Sequence, residues 1–339
     1  MMFRVFINVL WFNIGAKKPC GIVTVNSRNT NKKHRQQQYH ACFGQEAFHI
    51  NSTNQNTGHN QPFVVSHAQE DPQVLRERFA QWGYLYIKQY VPLAACENLL
   101  GSLLSAATPH IGRRGSLAPH LQAEPFFETD PAWDEIYPKI QALESFHSFF
   151  HQQHLLELME IVSGREVFVY PMKMARISTP GKIGYETPPH QDAHSHHAGP
   201  TMAGFWVALH DVTAAMGRVK VLPKSHERGV RPVFRTQGVG GVQCEIYPDE
   251  TCWHVSDFEA GDVLIFHSCT VHKAEPNTTA DTVRISVDTR FCDHGAPVFS
   301  TNLEPHHGWR IPGLDWAAIY RNWNDSKLQY YWRDYPNLF

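Results

Sequence analysis

The chain has almost no electrostatic bias. Thirty Lys plus Arg against 32 Asp plus Glu leave a formal net charge of −2, and charged residues make up only 18% of the 339. Nucleic acids and anionic membranes are recognised through concentrated positive charge, so no overall footprint for either is present. Long apolar runs are also missing. Nothing approaches the roughly 18–20 apolar residues that span a bilayer. Residues 3–14 are apolar but broken by Arg4, Asn8 and Asn13, and no small-residue cleavage site follows, so a secretory signal is not expected. Seven cysteines are present, but none has the C-x-x-C spacing of a zinc knuckle or redox pair. Reduced thiols in a cytoplasmic protein are the expectation, with Cys269 and Cys292 acting as small buried hydrophobes. No internal repeat is visible.

Histidine is abundant, at 22 residues, and apolar residues reach 42%, enough for a buried core. Residues 1–62 are rich in Asn, Gln, His and Lys without apolar periodicity, which reads as a disordered extension. One domain is expected over 63–339. Its first half is helical: 72–82 with Leu75 and Phe79 on one face and Gly83 as the stop, 93–107 after Pro92, and one long helix over about 140–162 ended by Gly164. Beyond Gly164 the period shifts toward two. Strands are expected at 84–87, 167–170, 173–177, 202–209, 219–222, 263–266 and 283–291. Helices followed by many short strands imply a mainly β fold, a sandwich or barrel with flanking helices.

Three pieces carry chemistry. In the run Pro188, Pro189, His190, Gln191, Asp192, alternation along extended backbone puts the imidazole and the carboxylate on one face. About 80 residues later His272 ends a strand, with His267 as its competitor. Two His and one carboxylate form a facial triad with open positions, which suits non-haem Fe(II). Third, residues 283–291 alternate cleanly: Val283, Ile285, Val287 and Thr289 face one side, and Arg284, Ser286, Asp288 and Arg290 the other. That polar face is either solvent-exposed or lines a polar cavity. Arg284, 12 residues after His272, and Ser286 can clamp a carboxylate through a guanidinium fork and a hydroxyl. This spacing favours His272 over His267.

With these residues in view, the chain resembles the phytanoyl-CoA dioxygenase family of Fe(II)/2-oxoglutarate-dependent oxygenases over roughly 63–290. The resemblance rests on Gly83, Tyr84, Leu85, Tyr86 and Ile87; on the His190–Asp192 motif; on Phe205, Trp206 and Leu209 followed by Asp211 and Thr213; on the turn Pro223, Lys224, Ser225, His226; on Gly261 and Asp262; and on His272. Lys224 stands where the family has glycine, and Gly217 and Arg218 follow Met216 where the family has Asn-Gly; both departures lie away from the triad. The resemblance implies a double-stranded β-helix with N-terminal helices. It implies Fe(II) on His190, Asp192 and His272, with 2-oxoglutarate paired to Arg284 and Ser286 and flanked by Trp206 and Met174. Dioxygen would be the oxidant, and the reaction hydroxylation of an unactivated C–H of a small molecule with release of succinate and CO2. Asp192 argues against a halogenase, which needs that position small. Glu124, Phe126, Phe127 and Glu128 would border the entrance. The loop histidines His194, His196 and His197 either contact substrate or are solvated. A cupin-like metal-binding protein on the same barrel is the alternative. Lipid thioester, terpenoid, amino acid and aminoglycoside-like substrates are all compatible with the sequence.

Overall fold

A computed structural model describes residues 58–114, 118–199 and 201–338, and the backbone of three strands further upstream. Those strands, Ile7–Phe12, Cys20–Val25 and Gln38–Ala41, pair antiparallel in that order within a unit spanning 1–56. Otherwise the expected extension falls, up to residue 57, outside the described residues. The second unit begins at Thr57, earlier than expected, because His59–Gln61 pairs in parallel with Cys252–His254.

Local signals decide the first helices. Pro72–Trp82 starts where the Asp71 carboxylate accepts from Gln73 N–H at 2.7 Å, and stops at Gly83, whose φ of 76° a residue with a Cβ adopts only under strain. Leu93–Ala107 buries Leu99, Leu100, Leu103 and Leu104. The long helix expected over 140–162 is instead three: Pro131–Gln141, Glu144–Phe149 and Gln153–Ser163. Extended backbone at Leu143 and Gln152 turns the chain twice. Those turns bring Trp133, Tyr137, Phe146, Phe150, Leu155 and Leu158 into one core. No Gly or Pro marks either break, and apolar spacing alone does not report them.

Two principal sheets follow. The larger has the order Val65–Ser66, Tyr84–Ile87, Val263–His267, Ala203–Ala208, Arg284–Asp293, Val167–Ser178. The two strands expected on either side of Pro171 are one; as the sheet edge it needs no N–H from proline there. The smaller sheet has the order His272–Ala274, Val219–Val221, Cys252–His254, His59–Gln61. Among the described residues the two share no strand, so no closed barrel forms.

Side chains of the larger sheet divide by parity. Phe205, Val207, Ile265, Ile285 and Val287 join the helices in the main core. Trp206, Leu264 and Phe266 face the other way, beside Tyr84, Tyr86 and Phe258. On that second face lie Arg284, Ser286, Asp288 and Arg290, all at most 6% exposed. The polar stripe therefore lines the interior. The five described cysteines are unpaired, with Cys269 and Cys292 buried. No helix among the described residues is long and apolar enough to cross a membrane.

Candidate metal centre

His190 and His272 lie opposite each other and exchange both backbone hydrogen bonds, each at 3.0 Å. This antiparallel pair puts their rings side by side, with centroids 4.1 Å apart. The metal motif is not a long strand, since Asp192 opens the helical turn Asp192–Ser195. Gln191 is nevertheless extended, at φ −122° and ψ 133°, and this one residue preserves the alternation between His190 and Asp192. Its amide anchors the segment, donating to Cys269 O at 2.6 Å and Gly229 O at 2.9 Å and accepting from Arg231 N–H at 2.9 Å.

Both rings have an assigned tautomer. His190 Nδ1 lies 2.9 Å from Pro188 O and His272 Nδ1 3.0 Å from Thr270 O. A carbonyl only accepts, so each Nδ1 carries the proton and each Nε2 offers a lone pair. Each Nε2 is 3.9 Å from Asp192 Oδ1. Among the described residues these three form the group whose donor atoms lie within 4.8 Å of one another. Burial and the neighbouring His190 push His272 down to about 3, and burial likewise lowers His190. Burial pushes Asp192 up, but Arg290 and the facing imidazoles outweigh it and hold the carboxyl well below its usual range. At neutral pH the set is two neutral imidazoles and one carboxylate, which can take a cation without first losing a proton. His267 is elsewhere: its Nδ1 accepts from Cys269 N–H at 3.0 Å, and its ring packs toward Phe79 and His226.

Arg284 and Ser286 lie on the same interior face. Arg284 Nε and Nη1 and Ser286 Oγ are buried without hydrogen-bond partners. Trp206 packs on Phe258 at 4.6 Å, and the Met174 sulfur accepts from Arg176 Nη2 at 3.0 Å. Phe126, Phe127 and Glu128 border the cleft that reaches Arg176 and Arg284; Glu124 is exposed outside it. Phe127 stacks on Tyr185 at 4.1 Å.

The three loop histidines separate. His194 is partly exposed and His197 exposed, whereas His196 is buried. Asn302 holds His196 twice, accepting from Nδ1 at 2.9 Å and donating to its carbonyl at 2.7 Å. That leaves His196 Nε2 4.0 Å from Asp192 Oδ1. Asp288, Arg290 and Arg176 also belong to the site's surroundings. Sequence reading placed the first two on a polar face without a role; their partners are up to 112 residues away.

Gly204 is a further support. A Cβ there would meet the Phe266 ring at 2.4 Å, and Phe266 packs on His272 with centroids 4.2 Å apart. Gly204→Ala is expected to push Phe266 into His272, costing about 1–3 kcal/mol of stability and weakening Fe(II) binding. Thermal melts and anaerobic Fe(II) titration measure the two effects; an unchanged melt would show that the ring has room to yield.

The profile of the family described as phytanoyl-CoA dioxygenase matches residues 79–286. The 1-deoxypentalenic acid 11-beta-hydroxylase of Streptomyces exfoliatus is 28% identical over 238 residues, covering 65% of this chain and 81% of that protein. The phytanoyl-CoA dioxygenase domain-containing protein 1 homolog of Dictyostelium discoideum is 33% identical over 106 residues, covering 29% and 38%. Among solved structures, the epimerase SnoN in complex with Fe3+, alpha ketoglutarate and nogalamycin RO aligns with a TM-score of 0.49 at 20% identity, covering 67% of this chain and 87% of that one.

Proposed function

Given that the chain belongs to the phytanoyl-CoA dioxygenase family, we propose that His190, Asp192 and His272 hold Fe(II) and that Arg284 with Ser286 receives the far carboxylate of 2-oxoglutarate. The protein is an Fe(II)/2-oxoglutarate-dependent oxygenase. We read the two sheets, with the candidate centre beside the interior face of the larger one, as a double-stranded β-helix. A cytoplasmic location is in keeping with the five described cysteines being unpaired.

The observation that carries this reading is the pairing of a proton-free donor set with an unsatisfied cationic fork. A buried guanidinium with two nitrogens unpartnered is costly unless an anion completes it. A dicarboxylate reaching from the metal to Arg284 supplies that anion. The buried Arg284 and Arg290 balance the buried Asp192 and Asp288, and the half-buried Arg176 faces Glu128, so a metal dication and a dianionic co-substrate enter together without unbalancing the charge of the site. When bound, the metal with 2-oxoglutarate and O2 supplies oxidation of a C–H bond coupled to decarboxylation of the co-substrate. The protein's part is to present His190 and His272 through Nε2, to orient the co-substrate with Arg284, and to exclude water behind Phe127 and Tyr185.

The substrate is proposed to be a small molecule hydroxylated at an unactivated carbon, in line with the name of the Streptomyces exfoliatus relative. The test is anaerobic titration with Fe(II) and 2-oxoglutarate, followed by oxygen exposure across a metabolite panel. A visible metal-to-ligand charge-transfer band and substrate-dependent succinate are expected. A protein that binds Fe(II) but develops no band on adding 2-oxoglutarate would instead be the cupin-like metal binder.

A further inference from the structure

The two oxygens of Asp192 have different surroundings. Oδ1 faces imidazoles, 3.9 Å from His190 Nε2, 3.9 Å from His272 Nε2 and 4.0 Å from His196 Nε2. Oδ2 lies 2.6 Å from Arg290 Nε. Arg290 Nη2 donates to Oδ1 at 3.0 Å, whereas Nε and Oδ2 are in ion-pair contact without hydrogen-bond alignment, so two nitrogens face the carboxylate from one side. Its remaining nitrogen, Nη1, is taken by Asp288 Oδ2 at 2.5 Å and Thr289 O at 3.1 Å. Asp288 is held in turn by Arg176 Nε at 2.9 Å, and Arg176 Nη1 lies 3.6 Å from Glu128. Charge therefore alternates from the buried Asp192 to the half-buried Arg176 and Glu128 along one chain of contacts. Arg290 is 2% exposed and Asp192 1%, and the Phe266 ring lies 5.8 Å from the guanidinium carbon. Arg290 is thus held by hydrogen bonds from Nη1 and Nη2 and by the ion-pair contact of Nε with Oδ2, with a ring beside it.

A carboxylate free to rotate can take a metal with both oxygens and so occupy two coordination positions. The ion pair with Arg290 Nε, at 2.6 Å, draws Oδ2 away from that option. We propose that Arg290 is a positioning residue that confines Asp192 to one-oxygen ligation through Oδ1, keeping open a position needed by co-substrate or dioxygen. This rests on the reading of His190, Asp192 and His272 as the metal ligands.

Two opposing effects shape the test. Losing the group that orients a ligand typically lowers metal affinity about 10–100-fold. Losing a positive charge beside the site raises affinity for a dication. Arg290→Lys keeps the charge and loses the planar fork, so it isolates geometry. Anaerobic Fe(II) titration of the full-length R290K protein is expected to show about 10-fold weaker binding and a weakened or displaced charge-transfer band with 2-oxoglutarate, in a protein whose metal-free form still melts cooperatively. A folded R290K with wild-type affinity and an unaltered band overturns the proposal and leaves Arg290 a counter-charge only. Should R290K not fold, Arg290→Gln replaces it. There a fall in affinity opposes the charge effect and supports positioning, whereas a rise or no change overturns it. Wild type and Asp192→Ala run in parallel. Wild type that binds no Fe(II), or binding that survives Asp192→Ala, defeats the ligand reading itself and Arg290's role with it.

Discussion

Arg284→Met is expected to move co-substrate affinity and metal-free stability in opposite directions. On the affinity side, truncating one partner of a buried, hydrogen-bonded charge pair costs about 2–5 kcal/mol, so the 2-oxoglutarate KM should rise by about two to three orders of magnitude. On the stability side, the guanidinium is 6% exposed with Nε and Nη1 unpartnered. Burial and the nearby Arg176 charge push its pKa down to about 10. The group is still charged at neutral pH, and keeping it so in the metal-free protein costs about 3 kcal/mol. Methionine fills similar volume without that charge, so the metal-free variant should melt several degrees higher. Adding 2-oxoglutarate with Mn(II) should stabilise wild type and leave R284M unmoved. An R284M protein that melts lower than wild type and retains its KM would mean that Arg284 is a structural ion and not the co-substrate's partner.

Acid should unfold the metal-free protein well above the pH at which its carboxylates titrate. Burial holds His147 down to about 3 and His210 down to about 4. Each is locked in a neutral tautomer. His147 Nε2 donates to Gln141 O at 2.9 Å. His210 Nδ1 donates to Asp211 O at 2.8 Å while its Nε2 accepts from Ile285 N–H at 2.9 Å. Protonating His210 would set Nε2–H against the Ile285 N–H, one residue from Arg284. Both folded-state pKa values lie below the unfolded value of about 6.5, so the unfolded chain binds the extra protons. The stabilisation is whole above about pH 6.5 and is lost as pH falls toward 4 and then 3. By pH 4.5 the two groups together remove about 5 kcal/mol, a large fraction of an ordinary domain's stability. Denaturant melts of the metal-free protein between pH 7.5 and 4.5 should show it, these two groups contributing about two protons to the slope in the lower half of the range and the other buried imidazoles, His272 and His196 among them, adding to it. His147→Gln should lower that slope by about one proton; a pH-independent stability would refute the assignment. Lys173 acts in the alkaline range. Its amine is buried against Tyr170 O and the Phe150 ring, and burial alone lowers its pKa well below the usual value. Stability should therefore climb as pH rises toward the unfolded lysine value.

The parts of this site legible in the sequence are those written in short-range pattern. Gly83 and Gly164 end helices where expected because their backbone is left-handed, at φ 76° and 77°. The strand Arg284–Asp293 announces its two faces through strict alternation, and the split between core and polar interior follows it. His190 and Asp192 share a face because the one residue between them is extended. The two breaks within 140–162 were not legible, since buried apolar residues continue through both without a breaker.

The sequence by itself determined the donor types, the spacing of His190 and Asp192, and the polar stripe that includes Arg284. These follow from side-chain chemistry and from a backbone period of two. Spacing to Arg284 already favoured His272 over His267, but only the tertiary structure decided how His272 meets Asp192, through a cross-chain pair of hydrogen bonds with His190. It also decided that Arg290 grips Asp192 from 98 residues away, and that Asn302 turns His196 toward the same oxygen from 106 residues away. Contacts at such separations depend on which strands neighbour one another and in which register, and no local periodicity encodes that.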